Sequence, residues 1–180
     1  MQASPTTPEG HRTNTTPRGS VLRALNPLTT TLGVTNASFV AQVPEWMPEL
    51  LYDVIKMAYH HNGFSFIRIL QRCPHFMPTL FDSLLSNPDH LVVLTHENGL
   101  HLREALAKIY KRQEEHDPSN IHRAREIAEW DDKVPVGILY RNESIPRYDE
   151  LKRPARMPSA EQKETVLEQA FDRFGIVPSA

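Results

Sequence analysis

Cysteine is almost absent: Cys73 is the single one in 180 residues, which excludes an intramolecular disulfide framework and any all-cysteine metal site completed within the chain. An excess of either charge is lacking as well. Against 20 Lys and Arg stand 22 Asp and Glu, a formal net charge of −2. No basic stripe with interleaved aromatics runs along the chain, so nucleic-acid binding is disfavoured. No apolar run reaches the roughly 18 residues that a membrane span needs. The opening Met1-Gln2-Ala3-Ser4-Pro5 shows no charged region followed by an apolar one, so no secretory leader is read there. The expectation is a soluble, cytoplasmic chain that partners neither nucleic acid nor a membrane. A Gly-rich phosphate loop, a nucleophile elbow and a complete metal cluster are also missing.

The organisation that remains is α/β. Ser4 to Ser20 is rich in Thr, Pro and Gly without apolar periodicity and reads as irregular. A short helix is expected after Asn26, an N-cap residue followed by Pro27 at the first helical position, with Leu28 and Leu32 four apart and Gly33 helping to end it. Ala37 to Gln42 reads as a short buried strand. A helix follows from about Glu45 or Glu49 to Asn62, its stripe built from Leu50, Leu51, Val54, Ile55 and Ala58, with Gly63 as a left-handed terminus. Phe64 to Leu70, aromatic and β-branched, is a second strand. Strand, helix, strand is a βαβ unit whose strands should be parallel. Downstream, Leu91 to Thr95 is a strand or docking segment, Leu102 to His116 has helical periodicity, and another helix runs from about Asn120 to Trp130. Val134 to Tyr140 is a further strand, and Ala160 to Phe174 is an amphipathic helix whose face Val166, Leu167, Ala170, Phe171 and Phe174 needs a partner surface.

Few side chains invite chemistry. His96-Glu97-Asn98-Gly99-Leu100-His101 is not a zincin motif: its histidines are five apart, not four, and diverge by about 140° on a helix. His60 and His61 sit at a helix end, where partial positive charge suits the terminal carbonyls. Arg68 and Arg72 could bind an anion or pair with carboxylates at a domain interface. Cys73 falls at the C-terminal end of an expected parallel strand, the edge where open α/β sheets bind ligands, although cysteine is also a common core residue.

Several segments together resemble one family. Gln2-Ala3-Ser4-Pro5-Thr6-Thr7 is similar to a Gly-Gln-x-Ser-Pro-Thr segment. Asn26-Pro27-Leu28 with Ala37-Ser38-Phe39-Val40-Ala41 is similar to Asn-Pro and Ala-Thr-Phe-Val-Ala elements. Gly63-Phe64-Ser65-Phe66 leading into Leu70-Gln71-Arg72-Cys73-Pro74 is similar to a Gly-Phe run ending in Leu-Gln-Pro-Cys-Pro. Val134-Pro135-Val136-Gly137-Ile138-Leu139-Tyr140, then Pro146 and Tyr148, is similar to a C-terminal Ile-Pro-Ile-Gly-x-x-Tyr and Pro-x-Tyr signature. Their order and spacing resemble the β subunits of 2-oxoacid:ferredoxin oxidoreductases.

The resemblance implies part of a thiamine-diphosphate-binding, Rossmann-like domain with a mainly parallel sheet and flanking helices. It divides the chain into an irregular segment (1–26), the C-terminal part of that domain (27–153) and a polar tail with one helix (154–180). It implies thiamine diphosphate with Mg2+, a 4Fe-4S cluster, an α subunit, ferredoxin, coenzyme A and a 2-oxoacid such as 2-oxoglutarate or pyruvate. By position, Cys73 matches a thiolate ligand of the cluster, which takes four cysteines. Gln2, Ser4 and Thr6 match the segment that supports the diphosphate site. The family's Gly-Asp-Gly motif with paired asparagines, which holds the metal and diphosphate, has no counterpart, and Arg72 replaces a frequent proline. Met1 falls inside a family motif, which points to a truncated or split reading frame or an internal start, and to a chain inactive on its own. Two other readings stay open: a non-catalytic docking or regulatory fragment using Phe171 and Phe174, and a thiamine decarboxylase that does not use ferredoxin.

Overall fold

Eight consecutive buried residues, Ala37–Pro44, make strand β1 the spine of the molecule. A strand without alternation must be covered on both faces, and here helices cover both. The structure is a computed structural model that describes residues 3–74, 77–97, 99–153 and 159–175. Helix α1 (Pro27–Leu32) starts where the Asn26 side chain accepts from Leu28 N, with Pro27 in its first turn, and ends at Gly33. Helix α2 (Pro48–His60) leads into strand β2 (Phe64–Leu70), and β1 and β2 pair in parallel as a βαβ unit should. The short helix α3 (Asp82–Ser86) and a 3-10 turn (Pro88–His90) precede strand β3 (Leu91–Thr95).

The helix expected from Leu102 to His116 is shorter. Helix α4 covers only Glu104–Ile109, and Gln113–Glu115 form strand β4, parallel to β3. Pairing with a strand already present outweighs local helical periodicity, because β3 offers an open row of backbone donors and acceptors. Helix α5 (Ile121–Ala128), capped by Asn120 on two backbone N–H groups, feeds strand β5 (Val134–Arg141). The five-stranded sheet runs β2-β1-β5-β3-β4, mostly parallel, with β5 antiparallel to β1.

That single antiparallel junction sets the geometry of everything else. The C-terminal ends of β1 and β2 lie at one edge of the sheet, and those of β3, β4 and β5 at the opposite edge. One face packs α2 (Leu50, Val54) on Phe39, Ala41, Val43, Val93 and Ile138. The other packs α1 (Leu28, Leu32) and α5 (Ala124, Ile127) on Val40, Leu94 and Leu139. Glu114 of β4 pairs with Arg123 of α5 and, at 3.4 Å, with Lys133.

Residues 1–146 form one compact unit and 147–180 a second. The second contains helices α6 (Tyr148–Lys152) and α7 (Ala160–Phe174), the latter opened by a Ser159–Gln162 capping box. Val166, Leu167, Phe171 and Phe174 of α7 are exposed. No helix among the described residues is long and apolar enough to cross a membrane.

Candidate functional site

The edge at the C-terminal ends of β1 and β2 carries most of the residues singled out by sequence. Cys73 lies three residues beyond β2, in a turn closed by Met77 N donating to Cys73 O at 2.9 Å, and it is exposed. It is not the buried core cysteine that residue-type preference alone allowed. Exposure leaves the sulfur accessible to an external group, and thiolate rather than thiol is the metal-binding form.

The N-terminal segment reaches the same edge. Asn26 Nδ2 donates to Ala128 O at 2.7 Å, and Leu25 N donates to Pro5 O at 2.8 Å. These bonds hold the segment against the end of α5, from which the chain enters β5 beside the end of β1. Within it, Ser4 Oγ and Thr6 Oγ1 approach to 3.0 Å, and both residues are exposed. Thr7, passed over in the sequence reading, organises this turn. Its buried Oγ1 accepts from Ser4 N at 2.8 Å while its own N–H donates to Ser4 O at 2.9 Å. The second threonine of Ser4-Pro5-Thr6-Thr7, three residues after Ser4, is the sequence signal that could have found it. Gln2 lies outside the described residues. Pro8, Glu9, Arg23, Asn26, Glu129 and Trp130 border an open cleft of about 690 Å3 beside the segment. Ser4 and Thr6 thus come together, while Cys73 occupies its own turn on the same edge.

The opposite edge gathers the histidines. His60 is exposed in the last turn of α2, as the helix-end reading expected. His61 departs from it. As the C-cap it is 5% exposed, its Nε2 lies 3.0 Å from Ser38 Oγ, and Ser38 Oγ donates to Phe64 O at 3.1 Å. Glu143 Oε2 stands 3.6 Å from Nδ1, an electrostatic contact too long for a hydrogen bond. Burial pulls the His61 pKa down, Glu143 opposing and Arg141 assisting, so the ring is held neutral and does not place a charge on the helix end. Gly63 likewise is no left-handed helix terminus. Its φ is +158°, and a Cβ there would stand 2.3 Å from Ser38 Oγ and 2.9 Å from His61 Nε2. The Ser38–His61–Glu143 alignment has the outline of a hydrolytic triad, but a serine with no exposed surface whose hydroxyl already serves Phe64 O attacks nothing.

Farther along this edge, His116 Nε2 donates to Leu139 O at 2.7 Å, and a pocket of about 350 Å3 is lined by His96, Glu97, Glu115, His116, Asp117 and Pro118. The His96 segment is a turn, closed by Gly99 N on His96 O at 3.1 Å. Burial, then His116 and Arg141, lowers the His96 pKa. Among the described residues, no three His, Cys, Asp or Glu side chains are grouped to hold a metal ion.

Comparison with known proteins follows the same lines. Residues 106–156 match the family model for the C-terminal part of the pyruvate ferredoxin oxidoreductase beta subunit. The chain is 28% identical over 153 residues to a 2-oxoacid:ferredoxin oxidoreductase subunit beta of a Sulfolobus species, a match covering 83% of this chain and 46% of that protein. It is 37% identical over 83 residues to the 2-oxoglutarate oxidoreductase subunit KorB of Mycobacterium tuberculosis, covering 46% of this chain and 22% of that one. Among solved structures, a 2-oxoglutarate:ferredoxin oxidoreductase from Magnetococcus marinus with 2-oxoglutarate, coenzyme A and succinyl-CoA bound superposes with a TM-score of 0.56 at 25% identity. That superposition covers 99% of this chain and 49% of that chain. The chain spans about half the length of the curated relatives it matches.

Proposed function

From the premise that the chain belongs to the 2-oxoacid:ferredoxin oxidoreductase β-subunit family, whose C-terminal portion it matches, we propose that it completes a thiamine-diphosphate enzyme that oxidatively decarboxylates a 2-oxoacid. The observation that carries this reading is the exposed Cys73 on the turn after β2, at the edge where α/β sheets of this kind bind ligands. When bound, thiamine diphosphate with Mg2+ supplies the carbanion chemistry, and a 4Fe-4S cluster supplies the one-electron path.

This chain's own part is to position. Cys73 offers one thiolate to a cluster whose other three cysteines come from outside the chain, since it has no second cysteine. Ser4 and Thr6, exposed on the N-terminal segment, support the diphosphate site, with Gln2 preceding them in the sequence; Thr7 and Asn26 hold the segment in place. The reading assigns 1–26 to the cofactor-flanking segment, 27–153 to the α/β domain and 154–180 to the tail. Its partners are an α subunit and ferredoxin, and its small molecules are coenzyme A and a 2-oxoacid, 2-oxoglutarate or pyruvate.

The test is iron and acid-labile sulfide content, with an electron paramagnetic resonance spectrum, after anaerobic reconstitution with the remainder of the subunit and the α subunit. A reducible cluster signal that disappears in Cys73→Ser sustains the reading. Bound thiamine diphosphate without iron moves it to a ferredoxin-independent decarboxylase. The exposed apolar face of α7 favours a second reading, a docking fragment, which predicts cofactor-free association with an α subunit that Phe171→Ser and Phe174→Ser together abolish.

A further inference from the structure

Arg68 lies two residues before the end of β2 and is half-buried. Among the described residues its side chain has neither an ion pair nor a hydrogen bond, and burial alone acts on it, drawing its pKa down with no counter-charge to hold it up. A guanidinium nevertheless stays protonated, so a permanent charge is kept half out of water without a partner.

Its register neighbour on β1 is Gln42. Gln42 is 1% exposed. Its Nε2 donates to Pro135 O at 2.8 Å, while Oε1, equally buried, has no hydrogen-bond partner. Adjacent strands are about 4.8 Å apart, and residues in register project from the same face. The Gln42 acceptor and the Arg68 donors are thus both unused on neighbouring strands of one face, with no hydrogen bond between them. The face is known from Phe66, two residues back on β2, which packs into the cluster beneath α1 and α5, whereas Ile67 packs on the α2 side. Arg68 accordingly lies on the face that carries α1 and α5, toward the C-terminal end of β2. A charge that merely protects an edge strand stands in solvent; this one lies partly covered, on the face that α1 flanks.

We propose that Arg68 binds an oxyanion, a carboxylate or phosphoryl group of a small-molecule substrate or cofactor, with Gln42 as the positioning residue whose Oε1 takes one N–H in the bound state and aims the rest of the fork. The inference rests on the proposed oxidoreductase reading and gives that site an anion subsite. Removing a charge-assisted fork weakens binding about tenfold or more.

The test uses the reconstituted enzyme with Arg68→Met, Arg68→Lys and Gln42→Leu. Arg68→Met is expected to raise one apparent constant about tenfold with kcat within about twofold, Arg68→Lys to restore part of it, and Gln42→Leu to give a smaller rise in the same constant. A shift in the KM for the 2-oxoacid identifies its carboxylate. A shift in that for coenzyme A identifies its phosphoryl groups, and weaker thiamine diphosphate binding identifies the diphosphate. Unchanged constants, with a lowered thermal midpoint or weaker subunit association, overturn the proposal and make Arg68 a structural charge. If the wild-type assembly oxidises no 2-oxoacid, the family-based function fails separately. Calorimetric titration of the 180-residue chain with pyrophosphate and with 2-oxoglutarate then decides: binding lost in Arg68→Met sustains the anion site, and equal or absent heats in both proteins overturn it.

Discussion

The two edges of the sheet treat similar polar residues in opposite ways. At the edge holding the ends of β3 and β5, Ser38, His61 and His116 are buried and bonded, Ser38 to Phe64 O, His61 to Ser38 and His116 to Leu139 O. At the edge holding the ends of β1 and β2, Cys73, Ser4 and Thr6 are exposed, and the Arg68 side chain has no charge partner among the described residues. Reactive residue types alone do not mark a site. At the closed edge the Ser38 hydroxyl and one ring nitrogen each of His61 and His116 are bonded inside the fold, their Nδ1 atoms being buried without a hydrogen-bond partner; at the other edge it is exposure that puts side chains within reach of a ligand.

The largest test of this contrast is Cys73→Ser. It is expected to abolish cluster iron in the reconstituted enzyme while leaving the urea midpoint of the chain within about 0.5 kcal/mol, since exposed substitutions cost little. Iron retained in the variant would remove the chemical distinction of that edge. Gly63→Ala attacks the closed edge. The new Cβ collides with Ser38 and His61, and a loss of about 2–3 kcal/mol is expected by chemical denaturation. A neutral outcome would show that this cluster is loosely packed. Asn26→Ala removes the α1 cap and the tie to Ala128 and is expected to cost about 1–2 kcal/mol.

Acid should act on the closed edge. His61 and His96 have lowered pKa values in the folded chain, His61 chiefly through burial, so the unfolded chain takes up protons first as pH falls below the ordinary value of 6.5. Stability is full above that value and declines as pH drops through the lowered folded ones. Urea midpoints measured from pH 7.5 to 5 should show this slope, and His61→Gln should flatten it. A slope unchanged by the substitution would mean that His61 is not the responsible ring. The smallest effect belongs to Ser4→Ala, expected within about 0.5 kcal/mol in denaturation. Weakened thiamine diphosphate binding in that variant, in the assembled enzyme, would sharpen the assignment of the open edge to cofactor support.

Much of this was legible along the chain. Alternating apolar stripes located α2 and α7, and Asn26 with Pro27 located α1, because capping and periodicity are local properties. The strands Phe64–Leu70 and Leu91–Thr95 were found within their bounds for the same reason. Strand β4 was not found. Gln113-Glu114-Glu115 carries no strand signature and is ordered by β3 and by the pairing of Glu114 with Arg123 and Lys133. At the sites, Cys73 and the Ser-Pro-Thr segment stood out as residue types and motif. His61 did not, because its role is defined by Ser38, 23 positions away.

The amino-acid sequence by itself determined the α/β class, the parallel βαβ unit and the single thiol at its end, all of which follow from local periodicity, capping and composition. Only the tertiary structure decided which polar residues are closed off and which are left open. That depends on the antiparallel turn of β5 against β1 and on contacts such as Gln42 beside Arg68, 26 residues apart, and burial and hydrogen-bond satisfaction are properties of neighbours in space that no local pattern encodes.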